Sequence, residues 1–482
     1  MFREFDYDNK PIVDIVNEII EDSISKGVSD IHFDPDEKGI NVRIRIDGEL
    51  HDYCRVPDSV KKNLATRVKI ISGMNITESR LPQDGAIKRL DDEQQLDMRV
   101  SSLPTIHGEK IVIRILNYSM SLAGLETLGF SAHNLELIKK VIASPNGIIL
   151  VAGATGSGKS TTVYSMLSRL NRTETNIITV EDPVEMKMQG LNQVQVMSEI
   201  GLDFNATLRS ILRQDPDIIM IGEIRDTETA KIAIRASITG HLVLSTVHTN
   251  NSLNTIERLL DMDVERYLLA SALEGIISQK LARKLCPNCR SKRPTNVYEK
   301  ELFKTVLGKE VDEIYSAEGC DECHNGYKGR IAIHEILLIN QAIKDAISGN
   351  VKKEELRDLV YKSEVNTLLQ DGLEKVILGY TTFEEILRTI ELDDDDRLEN
   401  NSELKNAIAM CNLKNKMEKE KNNPNIDNSN IEVVDDINTT LEPIQVTINE
   451  TVTIDDDSAE VILENNNQTL ADLISKINDH EA

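Results

Sequence analysis

An aliphatic run, Gly147-Ile-Ile-Leu-Val151, leads through Ala152 into Gly153-Ala-Thr-Gly-Ser-Gly-Lys-Ser160 and on to Thr161, Thr162 and Val163. Few folds accommodate that succession. Glycines let a backbone close around a polyanion, and the N–H groups at a helix start converge on it. The candidate cradle is Gly153, Ala154, Thr155, Gly156, Ser157, Gly158, Lys159, Ser160 and Thr161. In that pattern the lysine neutralises the outer phosphates of ATP. The Ser160 hydroxyl is a candidate ligand for Mg²⁺, which takes few protein ligands beside phosphate and water. The strand–loop–helix order requires an α/β sheet with the loop at its carboxyl edge.

Three more short apolar runs share the region: Asn176-Ile-Ile-Thr-Val180, Asp217-Ile-Ile-Met-Ile221 and His241-Leu-Val-Leu-Ser245. Separated by helical stretches, they predict a parallel sheet covered on both faces. Polar residues follow each run. Glu181, Asp182 and Glu185 come after the first, and one of these should orient or deprotonate the attacking water; position favours Glu181 as base. Glu223 follows the second as a metal-side acid for Mg²⁺. Ser245-Thr-Val-His248-Thr-Asn-Asn251 follows the third, with His241 at that strand's start, so both histidines are candidates for sensing phosphate, His241 equally for a satisfied core histidine. Arg209, Arg213 and Arg225 flank the acidic strand, either as surface charges or as contacts to the transferring phosphate across a subunit boundary.

Four of the six cysteines form two Cys-x-x-Cys pairs, Cys286 with Cys289 and Cys320 with Cys323. With no secretory leader or long apolar stretch at hand, the chain reads as cytosolic and non-spanning, where such pairs favour metal over disulfides. Four thiolates predict a closed tetrahedral zinc site with a structural role. Before the cradle, Ile12, Ile15, Val16, Ile19 and Ile20 mark an amphipathic helix, and Ile40-Asn-Val-Arg-Ile-Arg-Ile46 alternates as a strand. The expected organisation is an α+β domain at 1–117, a connector at 118–125, an α/β domain at 126–392 carrying a zinc subdomain at 284–332, and a tail at 393–482.

Net charge is −26, but residues 391–482 hold 23 Asp and Glu against 7 Lys and Arg, with 16 Asn. That tail reads as largely disordered. Within it, Ile444-Gln-Val-Thr-Ile448 and Thr451-Val-Thr-Ile454 alternate as strands do, and Leu470-Ala-Asp-Leu-Ile-Ser-Lys-Ile477 has the pattern of a short amphipathic helix. No Trp, few aromatic residues and no basic stripe argue against nucleic-acid binding.

Ser29-Asp-Ile-His32, Arg43-Ile-Arg-Ile-Asp-Gly48, Leu81-Pro-Gln-Asp-Gly85, the phosphate loop, Glu181-Asp182, Leu212-Arg-Gln-Asp-Pro-Asp-Ile-Ile-Met-Ile-Gly-Glu-Ile-Arg-Asp226, Gly240-His-Leu-Val-Leu-Ser-Thr-Val-His-Thr-Asn250, the four cysteines and Gly326-Tyr-Lys-Gly-Arg330 occur in this order. Together they resemble the type II secretion and type IV pilus assembly ATPases over roughly residues 10–390. The resemblance implies a PAS-like N-terminal lobe joined to a RecA-like ATPase lobe, assembled as a homohexamer beneath an inner-membrane platform protein, with a cytoplasmic docking protein as a further partner. It places the phosphate-reaching arginines of the first lobe at Arg99 and Arg114, and a two-histidine box at His241 and His248. It implies a cytoplasmic location, peripheral to the inner membrane. Relatives often begin with an additional docking domain, whereas this chain starts almost directly at the PAS-like lobe, which makes the acidic tail a candidate docking element. Two alternatives stand beside assembly: a pilus retraction motor, whose relatives generally lack the cysteine insert, and a RecA-like nucleic-acid translocase.

Overall fold

The computed structural model describes residues 2–91, 94–116, 124–363 and 365–390. The acidic tail and most of the expected connector lie outside these residues. Two sheets organise the rest. In the first, β1 (Asp30–Asp36), β2 (Gly39–Ile46), β3 (Glu49–Pro57), β4 (Gln83–Asp91), β5 (Gln94–Thr105) and β6 (Gly108–Leu116) pair in the order β3-β2-β1-β6-β5-β4. Helices α1 (Ile12–Ser25) and α2 (Asp58–Ile71) belong to the same lobe. Ile15, Val16, Ile19 and Ile20 of α1 are buried, as their spacing predicts. Ile40, Val42, Ile44 and Ile46 of β2 join them in one core, each such side chain contributing about 1.5–3 kcal/mol.

Strand period then dictates what the other face carries. Arg43 and Arg45 of β2 alternate with those core residues. Arg99 of β5 lies opposite Arg114 of β6, Arg114 opposite Asp30 of β1, and Asp30 opposite Arg45. One row across four strands thus reads arginine, arginine, aspartate, arginine.

The second sheet contains β7 (Gly147–Ala152), β8 (Ile177–Glu181), β9 (Asn192–Gln195), β10 (Ile218–Ile221), β11 (Leu242–Val247) and β12 (Leu273–Leu285). After the short strands β13 (Ser291–Pro294) and β14 (Glu313–Ser316) comes β15 (Tyr327–Leu338), which completes it. The order is β15-β12-β7-β11-β10-β8-β9, with all neighbours parallel except β15, which is antiparallel to β12. Every residue of β7 and β11 is buried, which explains their unbroken aliphatic runs. Leu125, expected at the end of the connector, opens a 3-10 turn and is buried in the core that includes α3 (Ala132–Ile142) and α4 (Lys159–Leu170).

β13 and β14 pair as a ribbon, and the helix Val297–Leu307 runs between them in sequence. Its Leu302 and Phe303 pack with Phe383 and Ile386 of the helix Phe383–Thr389. Polar contacts join this end of the second sheet to the β2–β3 turn of the first. Gly329 N donates to Asp47 Oδ2 at 2.7 Å, and Glu49 receives Arg283 at 2.9 Å and Arg388 at 2.8 Å. The rings of His51 and His324 stack at 5.2 Å.

Candidate active site

Four strands of the second sheet, β7, β8, β10 and β11, deliver the residues at and just beyond their ends to one edge. β7 leads into the phosphate loop, which reverses at Gly153 (φ 155°), Gly156 (φ 80°) and Gly158 (φ 89°) before α4 begins at Lys159. The glycines at the loop ends answer two demands. A Cβ on Gly153 would lie 2.4 Å from Ser157 Oγ and 2.6 Å from Gln279 O, and one on Gly158 would lie 2.7 Å from Gln279 Nε2. Positive φ and close approach both require the bare backbone. Ala154, Thr155 and Gly156 are exposed at the loop's crest, while Ser157 is buried and Ser160 and Thr161 are half-buried on the first helical turn.

Lys159 is 8% exposed, and its Nζ donates to Gly153 O at 2.7 Å and Ala154 O at 3.1 Å. Burial lowers its pKa, while the carboxylates of Glu223 and Glu185 pull the other way. The loop lysine therefore lies within the field of two acids that arrive from different strands.

Those acids occupy distinct environments. Glu181, at the end of β8, is 3% exposed, and its carboxylate accepts from Tyr164, from Thr179 Oγ1 at 2.5 Å and from Gln193 Nε2 at 3.2 Å. Both of its oxygens are engaged by the protein. Glu185, four residues on, is half-buried. Glu223, just beyond β10, takes Arg225 Nε at 2.7 Å on one oxygen and faces His248 Nε2 at 3.1 Å on the other. A cleft of about 310 Å³ opens beside this group, lined by Glu223, Arg225, His248 and Arg258.

The two histidines are not neighbours. His248 lies just past the carboxyl end of β11, whereas His241 precedes its start and holds Ala236 O through Nδ1 at 2.9 Å. Six strand residues separate them, roughly 20 Å at the usual rise, because an extended strand carries its two ends to opposite edges of the sheet. The two-histidine box that the resemblance implies is thus split between the two edges, and of the pair His248 reaches Glu223.

From the first sheet, Arg99 Nη2 reaches Val184 O at 3.4 Å, between Glu181 and Glu185. Arg114 beside it bonds Asp30 through Nε at 2.8 Å. Arg225 joins the site, whereas Arg209, on the helix Phe204–Ile211, pairs with Glu228, and Arg213, in the turn after that helix, donates to Arg209 O; both are exposed. One supporting residue carries no local signal in the sequence. Gln279 of β12 grips the phosphate loop from 122 residues downstream of Ser157, a contact created by the pairing of β12 with β7.

A second cluster lies beyond β12. The sulfurs of Cys286, Cys289, Cys320 and Cys323 all fall within 4.8 Å of one another, with separations of 3.9, 3.6 and 3.6 Å for three of the pairs. Thiolates about 2.3 Å from a central zinc would stand roughly 3.8 Å apart, so the four sulfurs fit that ion.

A largely parallel sheet with a glycine-rich loop, a buried lysine on the first turn of the helix and carboxylates on adjacent strand ends defines a P-loop nucleoside triphosphatase. The family described as "Type II/IV secretion system protein" matches residues 6–388. The type IV pilus assembly ATPase PilB of Myxococcus xanthus is 46% identical over 387 residues, covering 79% of this chain and 68% of that one. The type II secretion system ATPase E of Vibrio cholerae is 42% identical over 382 residues, covering 79% and 76%. The crystal structure of the pilus retraction motor PilT with bound ADP superposes with a TM-score of 0.54 at 28% identity, covering 79% of this chain and 96% of that one. The chain belongs to the type II/IV secretion system family and is an ATPase, as its motifs led us to expect.

Proposed function

We propose that the chain works as a ring of six subunits that converts ATP hydrolysis into the assembly of pilin or pseudopilin subunits. The observation that carries this reading is the convergence of Lys159, Glu223 and Glu185 at one sheet edge, with Arg99 of the other lobe reaching the same acidic loop. Ser160 and Glu223 would hold Mg²⁺, which neutralises charge on the phosphates. Lys159 and the loop N–H groups bind them, and Arg99 and Arg114 contribute guanidinium charge from the first lobe. His248 orients Glu223. Position favours Glu181 as base, but at 3% exposure and with both oxygens held inside the protein it serves better as an anchor for the acidic loop. Water activation then falls to Glu185, which shares the field of Lys159.

The four cysteines would hold one zinc as a structural tie between the ends of β12 and β15. The lobes at 1–117 and 126–392, the first of PAS-like type, are the moving parts, and opening and closing the cleft between them is the mechanical output. Partners under this reading are an inner-membrane platform protein and a cytoplasmic docking protein, with the chain held peripherally at the cytoplasmic face. In the described residues no helix is long and apolar enough to cross a membrane. Identity of 42–46% to assembly and secretion ATPases, together with the cysteine cluster, favours assembly over retraction or nucleic-acid translocation.

The test is complementation of a strain lacking the gene. The parent chain should restore pili or secretion and Lys159→Ala should not. Full function from a folded Lys159→Ala chain would defeat the motor reading, and ATP turnover stimulated steeply by DNA at low salt would favour translocation instead.

A further inference from the structure

β12 passes directly behind the phosphate loop, and its Gln279 side chain, 3% exposed, makes two bonds there. Its Nε2 donates to Ser157 O at 2.6 Å, and its Oε1 accepts from Thr162 Oγ1 at 2.6 Å. The first partner closes the loop and the second lies on the first turn of α4, so one carboxamide spans the bend between them. Gly153 and Gly158 are both packed against this residue more closely than any Cβ would permit.

The consequence follows from peptide planarity. In a trans peptide the carbonyl and the next N–H point in opposite directions. Pinning Ser157 O back onto Gln279 therefore turns the Gly158 N–H away from β12, toward the side on which a loop of this type receives phosphate. If that peptide turned over, a carbonyl oxygen would face the polyanion instead. We propose that Gln279 is a positioning residue for nucleotide binding, fixing the Ser157–Gly158 peptide so that the loop presents a donor to phosphate.

Gln279→Glu tests this in the full-length chain because it keeps side-chain size while placing an acceptor against Ser157 O. Binding of MgADP, read by calorimetry at pH 8, should weaken at least tenfold. A carboxyl buried there titrates above its ordinary range. Protonation restores a donor to Ser157 O, so the deficit relative to the parent should shrink as pH falls from 8 to 6. Gln279→Met, which removes both bonds, should show a comparable loss with no such recovery, and Thr162→Val only a few-fold loss. In turnover, KM for ATP should rise more than kcat falls.

MgADP binding within twofold of the parent by a folded Gln279→Glu or Gln279→Met chain would overturn the proposal. So would a Gln279→Glu deficit that is the same at both pH values. Unimpaired MgADP binding by Lys159→Ala would mean that nucleotide does not sit on this loop, and the proposal would fall with that premise.

Discussion

Glu223 Oε1 and His248 Nε2 meet at 3.1 Å across the ends of β10 and β11, two strands that pair in parallel, and Arg225 holds the other Glu223 oxygen at 2.7 Å. The carboxylate is thus oriented from both sides. Glu223→Gln keeps its shape and removes its charge, so kcat for ATP should fall about 100-fold or more while KM changes little. His248→Ala, which removes one orienting contact, should cost nearer tenfold. Steady-state kinetics with saturating Mg²⁺ checks both values, and wild-type turnover in Glu223→Gln would exclude its metal-side role.

Glu181 and Glu185 should separate by phenotype. Glu185→Gln is expected to lower turnover by about 100-fold with an unchanged melting temperature. Glu181→Gln replaces an oxygen that accepts from Tyr164, Thr179 or Gln193 with an amide, leaving a buried mismatch that costs about 1–3 kcal/mol. Its melting temperature should drop by several degrees. The opposite assignment, with Glu181→Gln stable and inactive and Glu185→Gln active, would return the base to Glu181.

The cysteine cluster should bind one zinc per chain, measured by atomic absorption. Removing the metal with a chelator, or replacing Cys286 with Ser, should make the segment from β13 to β15 susceptible to protease while nucleotide binding survives. Protease resistance that persists after complete zinc removal would show that the helix Val297–Leu307 and its core suffice without metal.

His334 makes stability depend on pH. Its ring is fully buried and stacked on Phe130 at 3.8 Å, and both ring nitrogens lack partners among the described residues. Burial, assisted by the nearby Lys375, pushes its pKa well below the ordinary histidine value. Between the folded and unfolded pKa values the unfolded chain carries a proton that the folded chain does not. Stability should therefore fall as pH drops below about 6.5, by up to about 1.4 kcal/mol per pH unit from this group. Melting curves from pH 7.5 to 5.5 should show a steeper decline for the parent than for His334→Leu, and parallel declines would refute the assignment.

Much of this architecture is legible locally, because the aliphatic runs of β7, β8, β10 and β11 and the loop between β7 and α4 are each contiguous in sequence. Alternation likewise reveals β2 and the helical period reveals α1. The strand β12 is harder to read. It combines core residues with Gln279, Lys280, Arg283 and Lys284, since it lines the phosphate loop, leaves the sheet core and ends at the cysteines. The grip of Gln279 on Ser157 and the bond from Arg99 to Val184 depend on strand order and lobe contact, and no local pattern carries either. The two histidines illustrate a related point: residues bounding one strand look close in sequence but flank the sheet.

The contact between the β2–β3 turn and the far end of the second sheet is built from a backbone amide, two carboxylates, two guanidinium groups and a stacked imidazole pair. Surfaces of that chemistry can part into water without uncovering an oily core, and partly exposed ion pairs typically hold by only about 0–1 kcal/mol each. Here the two lobes are fastened by a latch, not a weld.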